Sequence, residues 1–407
     1  MREGCVKIML YEQKRIIRRE KFNTIDLLVI LCGLTAPIGE KMNIYFPYFS
    51  KLYVFFGAIL SLFYLFGFII NKRYKISIST RTGLYFLLFI YKFFHSFWMY
   101  FFSHKSSNIF DYFKIIIFMN IAFILLCCFK SKQNRVDFFV ISFNVSFFII
   151  FIFFNTFNTS DIVIRAEGVY KDANAFGLDA VFVLFTSLSL LAKTKTNILN
   201  VIIFFASIIA VFLSGSRSAV IGTLLGIFYY FNSMKSLKKK IKLFIVLLIM
   251  FFSIILLIPE THSIPIIRRL FFGSSKTSGY MNNVRLEIWL DYLLAWKKYV
   301  LIGLDKDYWH LINKYITHNT YLYFLVSSGI FGFIAYLALI WSNLKMYYKV
   351  RKSNIEGHSA IFSLFLAMLT ISFFFDTLTL KIFWIIWILV INYNDEHSYT
   401  NKREKLT

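Results

Sequence analysis

Three basic side chains in this sequence stand where a charge calls for a reason. They are Arg217 in Ser214-Gly215-Ser216-Arg217-Ser218, Arg285 in Asn283-Val284-Arg285-Leu286-Glu287-Ile288-Trp289, and His318 directly before Asn319-Thr320-Tyr321-Leu322. A guanidinium is a rigid, permanently charged fork of donors that matches phosphate oxygens two at a time. In a Gly/Ser turn that opens a helix, free backbone amides add to such an anion site. Histidine is the side chain whose ordinary pKa permits proton transfer near neutral pH. Two arginines and a histidine could therefore hold a phosphate-bearing group and move a proton beside it. Each also has a plainer explanation: Arg217 as a cation snorkelling to lipid headgroups, Arg285 as a surface charge in a first helical turn, His318 as a capping or interfacial residue.

The elements that must carry these residues are membrane helices. The chain has 407 residues, 58% of them hydrophobic and 20% aromatic. A spanning helix needs about 20 mostly apolar residues, and twelve apolar segments can be drawn: 25–38, 52–70, 83–102, 110–129, 136–157, 174–192, 197–213, 218–231, 241–258, 319–341, 359–375 and 378–391. The predicted fold is all-α and polytopic, with about twelve transmembrane helices. Its expected organisation is a basic tail (1–24), nine spans (25–259), a long polar loop (260–318), three spans (319–391) and a second tail (392–407). The shortest segments are the first, eighth and last.

The net charge of +24 is explained by topology. With both termini inside, 28 of the 45 Lys and Arg residues fall in cytoplasmic segments and 14 outside, 8 of these in the long loop. Every short cytoplasmic loop is then basic, as the positive-inside rule requires. Nucleic-acid binding is not implied. The basic start from Arg2 to Lys21 has no small-residue cleavage site after the first apolar segment and reads as a retained tail. The four cysteines (Cys5, Cys32, Cys127, Cys128) form neither a disulfide framework nor a zinc spacing, and no carboxylate cluster suggests another metal.

This topology puts Arg217, Arg285, His318 and the block Arg165-Ala166-Glu167-Gly168 on one outer face. The spacing of Leu286, Trp289, Leu290, Leu293 and Trp296 predicts an amphipathic helix starting at Arg285, with Asn282 or Asn283 as its N-cap and Gly303 as its terminator. Such a helix would lie on the outer leaflet or roof a cavity. His262 and His310 read as surface residues. Glu167 and Asp172 are expected to pair with Arg165 or Lys171.

These blocks resemble the signature blocks of the O-antigen ligase/polymerase superfamily: Ser214 to Ser218, Arg285 to Trp289 with Gly303 downstream, and His318 to Leu322 followed by Ser328-Gly329-Ile330-Phe331-Gly332. Arg165 to Gly168, with Asn174 opening the next helix, is similar to a further block. The resemblance covers roughly Arg165 to Gly332. The paired Arg-x10-Gly motif of some polymerases is absent, because Gly177 lies one residue too far from Arg165. The resemblance implies a GT-C-like glycosyltransferase that needs no metal or other cofactor and uses an undecaprenyl-diphosphate-linked glycan. Arg217 and Arg285 would hold the diphosphate and stabilise its departure, and His318 would activate or orient the acceptor hydroxyl. Arg165, Ser216, Ser218, Asn319 and Asn174, in the same blocks, are the candidate substrate-binding residues. Undecaprenyl-diphosphate-linked oligosaccharide, membrane lipids and a chain-length regulator protein are the implied partners.

Within that resemblance the expected activity is a polysaccharide repeat-unit polymerase in a bacterial inner membrane, with an O-antigen ligase acting on lipid A-core as the alternative. A lipid-linked oligosaccharide flippase is the alternative from another class. A transporter should carry its polar residues near the membrane midplane. Here Lys92, His95, Lys114 and Lys381 disturb the spans, with Asp179 and Asp376 nearer their ends, whereas the informative polar residues gather on the outer face.

Overall fold

The computed structural model describes residues 22–71, 78–102, 109–154, 156–158, 165–170, 172–193, 197–238, 240–241, 245, 278–304, 317–350 and 356–404. Nearly all of the ninth predicted segment (241–258), nearly all of the first tail, and His262 and His310 lie outside the described residues.

The helices follow the apolar runs. They are α1 (Thr24–Thr35), α2 (Leu52–Asn71), α3 (Thr80–Phe102), α4 (Ile109–Ser131), α5 (Asn134–Phe153), α6 (Ala173–Lys193), α7 (Ile198–Leu213), α8 (Arg217–Ser233), α9 (Ser278–Trp296), α10 (Thr320–Val350), α11 (Glu356–Phe374) and α12 (Lys381–Glu404). Among the described residues, seven helices are long and apolar enough to cross a membrane, and α1 and α7 are shorter apolar helices. The protein is an all-α polytopic membrane protein. Among the described residues, a two-stranded antiparallel pairing of β1 (Thr156–Asn158) with β2 (Arg165–Gly168) is a departure from helix that the sequence did not suggest.

α6 is the central helix. Residues from Ala175 to Leu190 are buried almost without interruption, and α7, α8 and α11 pack on it. Its hydroxyls are satisfied inside the bundle: Thr186 Oγ1 donates to Phe182 O at 2.8 Å and meets Asn144 Oδ1 at 2.9 Å. That is what a segment without water requires. α12 is the second buried helix, with Ile382 to Ile391 all inside. α2 and α3 lie at the periphery and turn Phe55, Leu65, Phe86 and Phe94 outward, as lipid-facing helices would.

One end of the bundle is fastened by ion pairs. Asp26, in a capping box with Asn23 at the start of α1, accepts from Lys132 at 2.8 Å and Arg135 Nε at 2.7 Å. Asp395 of α12 accepts from Arg81 Nε at 2.8 Å and pairs with Lys130 at 2.6 Å. Several of the basic residues that mark the expected cytoplasmic side are thus partners of buried carboxylates. The pairs also set the starts of α1, α3 and α5 at the same end as the finishes of α4 and α12, the alternation that successive membrane crossings demand.

Candidate functional site

The opposite end carries the candidate residues. Ser214 closes α7, Gly215 takes a left-handed φ of 59°, and Ser216 caps α8 by accepting from Ala219 N at 3.3 Å. Ser216 Oγ also meets Ser218 Oγ at 3.0 Å. Both hydroxyls are buried and help build the turn. Arg217 is the first residue of α8, so the cap fixes the backbone that bears its guanidinium. α6 starts against this turn: a methyl group on Gly177 would stand 3.1 Å from Ser214 Oγ and 3.0 Å from Ala219 Cβ. Just ahead, Asp172 Oδ1 accepts from Asn174 N at 2.7 Å, which folds the entry to α6. Asn174 itself is half-buried.

Arg285 lies on α9, which differs from the sequence expectation. The helix begins at Ser278, so Asn282 and Asn283 are inside it and are not caps, and Arg285 is in its interior. The helix ends at Trp296, well before Gly303. Its inward face holds Ile288 and Tyr292, buried, with Trp289, Ala295 and Trp296 beside them, and half-buried Arg285 shares that face by helical spacing. The predicted leucine stripe points away: Leu286 and Leu290 are 58% and 59% exposed. Trp289 and Trp296 of the same predicted stripe lie beside the buried residues, so the stripe straddles the boundary between the inward and outward sides of α9.

His318 immediately precedes α10. Its φ of 49° is left-handed, a conformation that costs free energy for any residue but glycine and that gathers at functional sites. Asn319 Oδ1 accepts from Leu322 N at 3.0 Å, so this side-chain oxygen serves as the helix cap. Trp289 Nε1 donates to Thr317 O at 2.8 Å and ties α9 to the histidine turn.

Arg285 links the three residues electrostatically, feeling the charge of Arg217 and acting on His318. Burial disfavours the cationic form of Arg285, and the charge of Arg217 adds to that. Burial and the charge of Arg285 lower the His318 pKa below its ordinary value, against which the Asp172 carboxylate acts in the raising direction. His318 is therefore biased toward the neutral imidazole, the form able to accept a proton. Asp172 stands within electrostatic reach of the histidine, a placement not anticipated from sequence; the only local signal was its position one residue before α6. Glu167 pairs with Lys41 of the first connection; the expected pairing with Arg165 or Lys171 falls on side chains outside the described ones. Arg165 is placed at the backbone level only, opposite Asn158 in the β1–β2 pairing.

Below this cluster an apolar cavity of about 550 Å³ runs between α8, α10 and α11, lined by Leu225, Phe228, Tyr229, Tyr321, Leu369 and Phe373 among others. Phe373 meets Trp289 edge-on with ring centroids 5.9 Å apart, so the cavity abuts the helix that carries Arg285. α8 contributes to both features, Arg217 at its first residue and the cavity wall from Leu225 onward.

Fold and site together define a membrane-embedded helical protein whose charged cluster sits at one end of the bundle, beside an apolar cavity. Residues 202–337 match the family model described as O-antigen ligase. This match encloses Arg217, Arg285 and His318, and it supports placing the chain in the O-antigen ligase/polymerase superfamily, whose members are membrane glycosyltransferase-like enzymes. No curated protein matches the chain.

Proposed function

We propose that this protein is a polysaccharide repeat-unit polymerase. It transfers a glycan chain from undecaprenyl diphosphate to a lipid-linked repeat unit on the outer face of a bacterial inner membrane. The observation that carries the proposal is the electrostatic coupling of Arg217, Arg285 and His318, drawn from three separate stretches of chain to one end of the bundle.

In the proposed reaction the acceptor sugar hydroxyl attacks the anomeric carbon of the donor chain. The bond between that carbon and the diphosphate oxygen breaks, and undecaprenyl diphosphate leaves with the electron pair. Arg217 and Arg285 stabilise the charge that develops on the leaving group. Two fixed guanidiniums aimed at a developing anion lower the barrier without requiring a metal. A bound diphosphate would be attracted by both guanidiniums at once. His318, biased toward its neutral form, accepts the hydroxyl proton. Asp172 acts on the resulting imidazolium as a counter-charge. The cavity beside Trp289 and Phe373 suits the polyprenyl chain of the same donor, since its lining is apolar and it adjoins the helices that bear the arginines. Both termini are cytoplasmic in this reading, and Arg165 and Asn174 contact the glycan near the start of α6.

The alternative is ligation of the chain to lipid A-core, an activity within the same superfamily. Deletion in a Gram-negative host separates the two. Loss of a polymerase leaves lipid A-core bearing a single repeat. Core without any repeat, while repeats accumulate on the polyprenyl carrier, would overturn the polymerase reading in favour of the ligase.

A further inference from the structure

α10 is interrupted. Gly329 has φ 63° and ψ −174° in the middle of an otherwise helical run. An interruption releases backbone groups from the helix ladder, and in an apolar surrounding each must find another partner. The turn that follows α9 supplies them. Leu304 N donates to Val326 O at 2.8 Å, and Ile330 N donates to Val300 O at 2.8 Å. The seat leaves no room for a side chain: a methyl group on Gly329 would lie 2.1 Å from Leu301 O, and one on Gly303, whose φ is 88°, would lie 2.6 Å from Gly329 N. Residues 299–304 are thus inserted in the break of a membrane helix. They continue directly from α9, through Tyr299 N donating to Trp296 O at 2.8 Å and Gly303 N donating to Tyr299 O at 2.8 Å.

The seat has a floor, and it comes from a peripheral helix. On α3, Tyr91 OH donates to Ser328 O, and Lys92 Nζ donates to Ser328 Oγ. One turn on, His95 Nε2 donates to Ile302 O at 2.7 Å. Lys92 also stands over the Phe324 ring at 4.7 Å. One face of α3 therefore grips both sides of the joint, the broken helix through Ser328 and the inserted turn through Ile302. From Trp296 back to Arg285 is about 16 Å along the helix at 1.5 Å per residue. A small tilt at the joint is accordingly a large displacement at Arg285.

We infer that Tyr91, Lys92 and His95 are positioning residues: they hold the turn 299–304 in the break of α10 and so set where α9 carries Arg285 relative to Arg217 and His318. This rests on the proposed transfer reaction for its catalytic consequence, but its geometric content does not. None of the three belongs to the charged cluster itself. Lys92 is the poorest probe, because its charge also acts on Asp376, and removing it would strip a buried carboxylate of that counter-charge. Tyr91 and His95 meet only backbone partners across the joint, Tyr91 at Ser328 and Gly332 and His95 at Ile302, and can be altered singly.

The test uses full-length protein in lipid nanodiscs with the native cysteines replaced. Nitroxide labels are placed at Leu286 and Leu224, both outward-facing at 58% and 62% exposure. Pulsed dipolar spectroscopy should give one narrow distance distribution for the otherwise unaltered protein and a broadened or shifted one for Tyr91→Phe with His95→Ala. His95→Gln, which keeps an N–H for Ile302 O, should restore the narrow distribution. In the same particles kcat should fall by about 100-fold, the scale on which small misplacements of catalytic groups are felt, with a smaller change in donor KM. A distribution as narrow as in the unaltered protein, or a His95→Gln variant no better than His95→Ala, would overturn the inference. If the unaltered protein elongates no glycan, the proposed function fails while the distance measurement still judges the joint.

Discussion

The two ends of the bundle handle buried charge in opposite ways. At the end built by Asp26 and Asp395, each carboxylate receives two cations, and the charge is absorbed into the packing. At the other end the charge of Arg217 bears on Arg285, and the charge of Arg285 bears on His318. Paired charge fastens helices, whereas gathered like charge is a cost that a protein carries where an anion is to be received. The same residue type, arginine, is therefore structural at one end and a candidate for catalysis at the other, and its surroundings decide which.

Substitutions should separate the two ends. The largest effect is expected at the like-charged end. Arg217→Ala, Arg285→Ala and His318→Ala should each abolish long-chain glycan, with a loss per fixed donor on the order of 100- to 1,000-fold in turnover, while the protein stays in the membrane at its normal level. Glycan length on gels, together with immunodetection in membrane fractions, reads both. Arg217→Lys should fail nearly as badly, because an ammonium cannot reproduce the guanidinium fork; normal chains in that variant would remove the bidentate contact from the account.

At the paired end the expected loss is of stability. Asp26→Ala leaves Lys132 and Arg135 largely buried without their carboxylate, and breaking a buried pair in this way costs about 3–5 kcal/mol. The thermal midpoint in detergent should drop, with turnover per folded molecule unchanged. A turnover defect at full stability would erase the contrast between the ends.

A subtler effect is the pH profile. Because the His318 pKa is lowered from 6.5 in the folded protein, the neutral imidazole persists as pH falls past 6.5 and is lost only below it. The acid limb of the transfer rate should therefore lie below pH 6.5, and Asp172→Asn, which removes the raising influence, should move it lower still. The smallest effect belongs to Lys193 and Asp137, a pair at 2.9 Å with side chains 30% and 38% exposed. Asp137→Asn should change stability by about 0–1 kcal/mol, near the resolution of a thermal melt.

Much of this was legible in the chain itself, for identifiable reasons. Apolar run length marks most helices, since every spanning helix must satisfy its own backbone in a lipid environment. The Gly/Ser turn from Ser214 to Ser218 reads as the opening of a helix, and there the structure agrees, with Ser216 as the cap. What could not be read depends on distant partners. Ser327-Ser328-Gly329-Ile330 continues an apolar helix on local grounds, and its break is stabilised by residues 299–304 and by Tyr91, far away in sequence. The partners of Arg81 and Arg135, at Asp395 and Asp26, are equally remote. On α9 the predicted stripe straddles two sides: its leucines lie outward, and the bundle buries Ile288 and Tyr292 instead. The proximity of Asp172 to His318 arises only when the start of α6 and the start of α10 come to the same end.

The central claim is that Arg217, Arg285 and His318 act as one site on a lipid-linked diphosphate. Its most direct test is elongation of a purified undecaprenyl-diphosphate-linked repeat by the protein in proteoliposomes, with EDTA present. The account predicts chains of two or more repeats with release of undecaprenyl diphosphate, and no chains from any of the three single alanine variants. The Arg217→Ala, Arg285→Ala double variant should be no worse than either single one, as expected of residues working as a unit. Elongation that survives loss of both arginines would contradict the account.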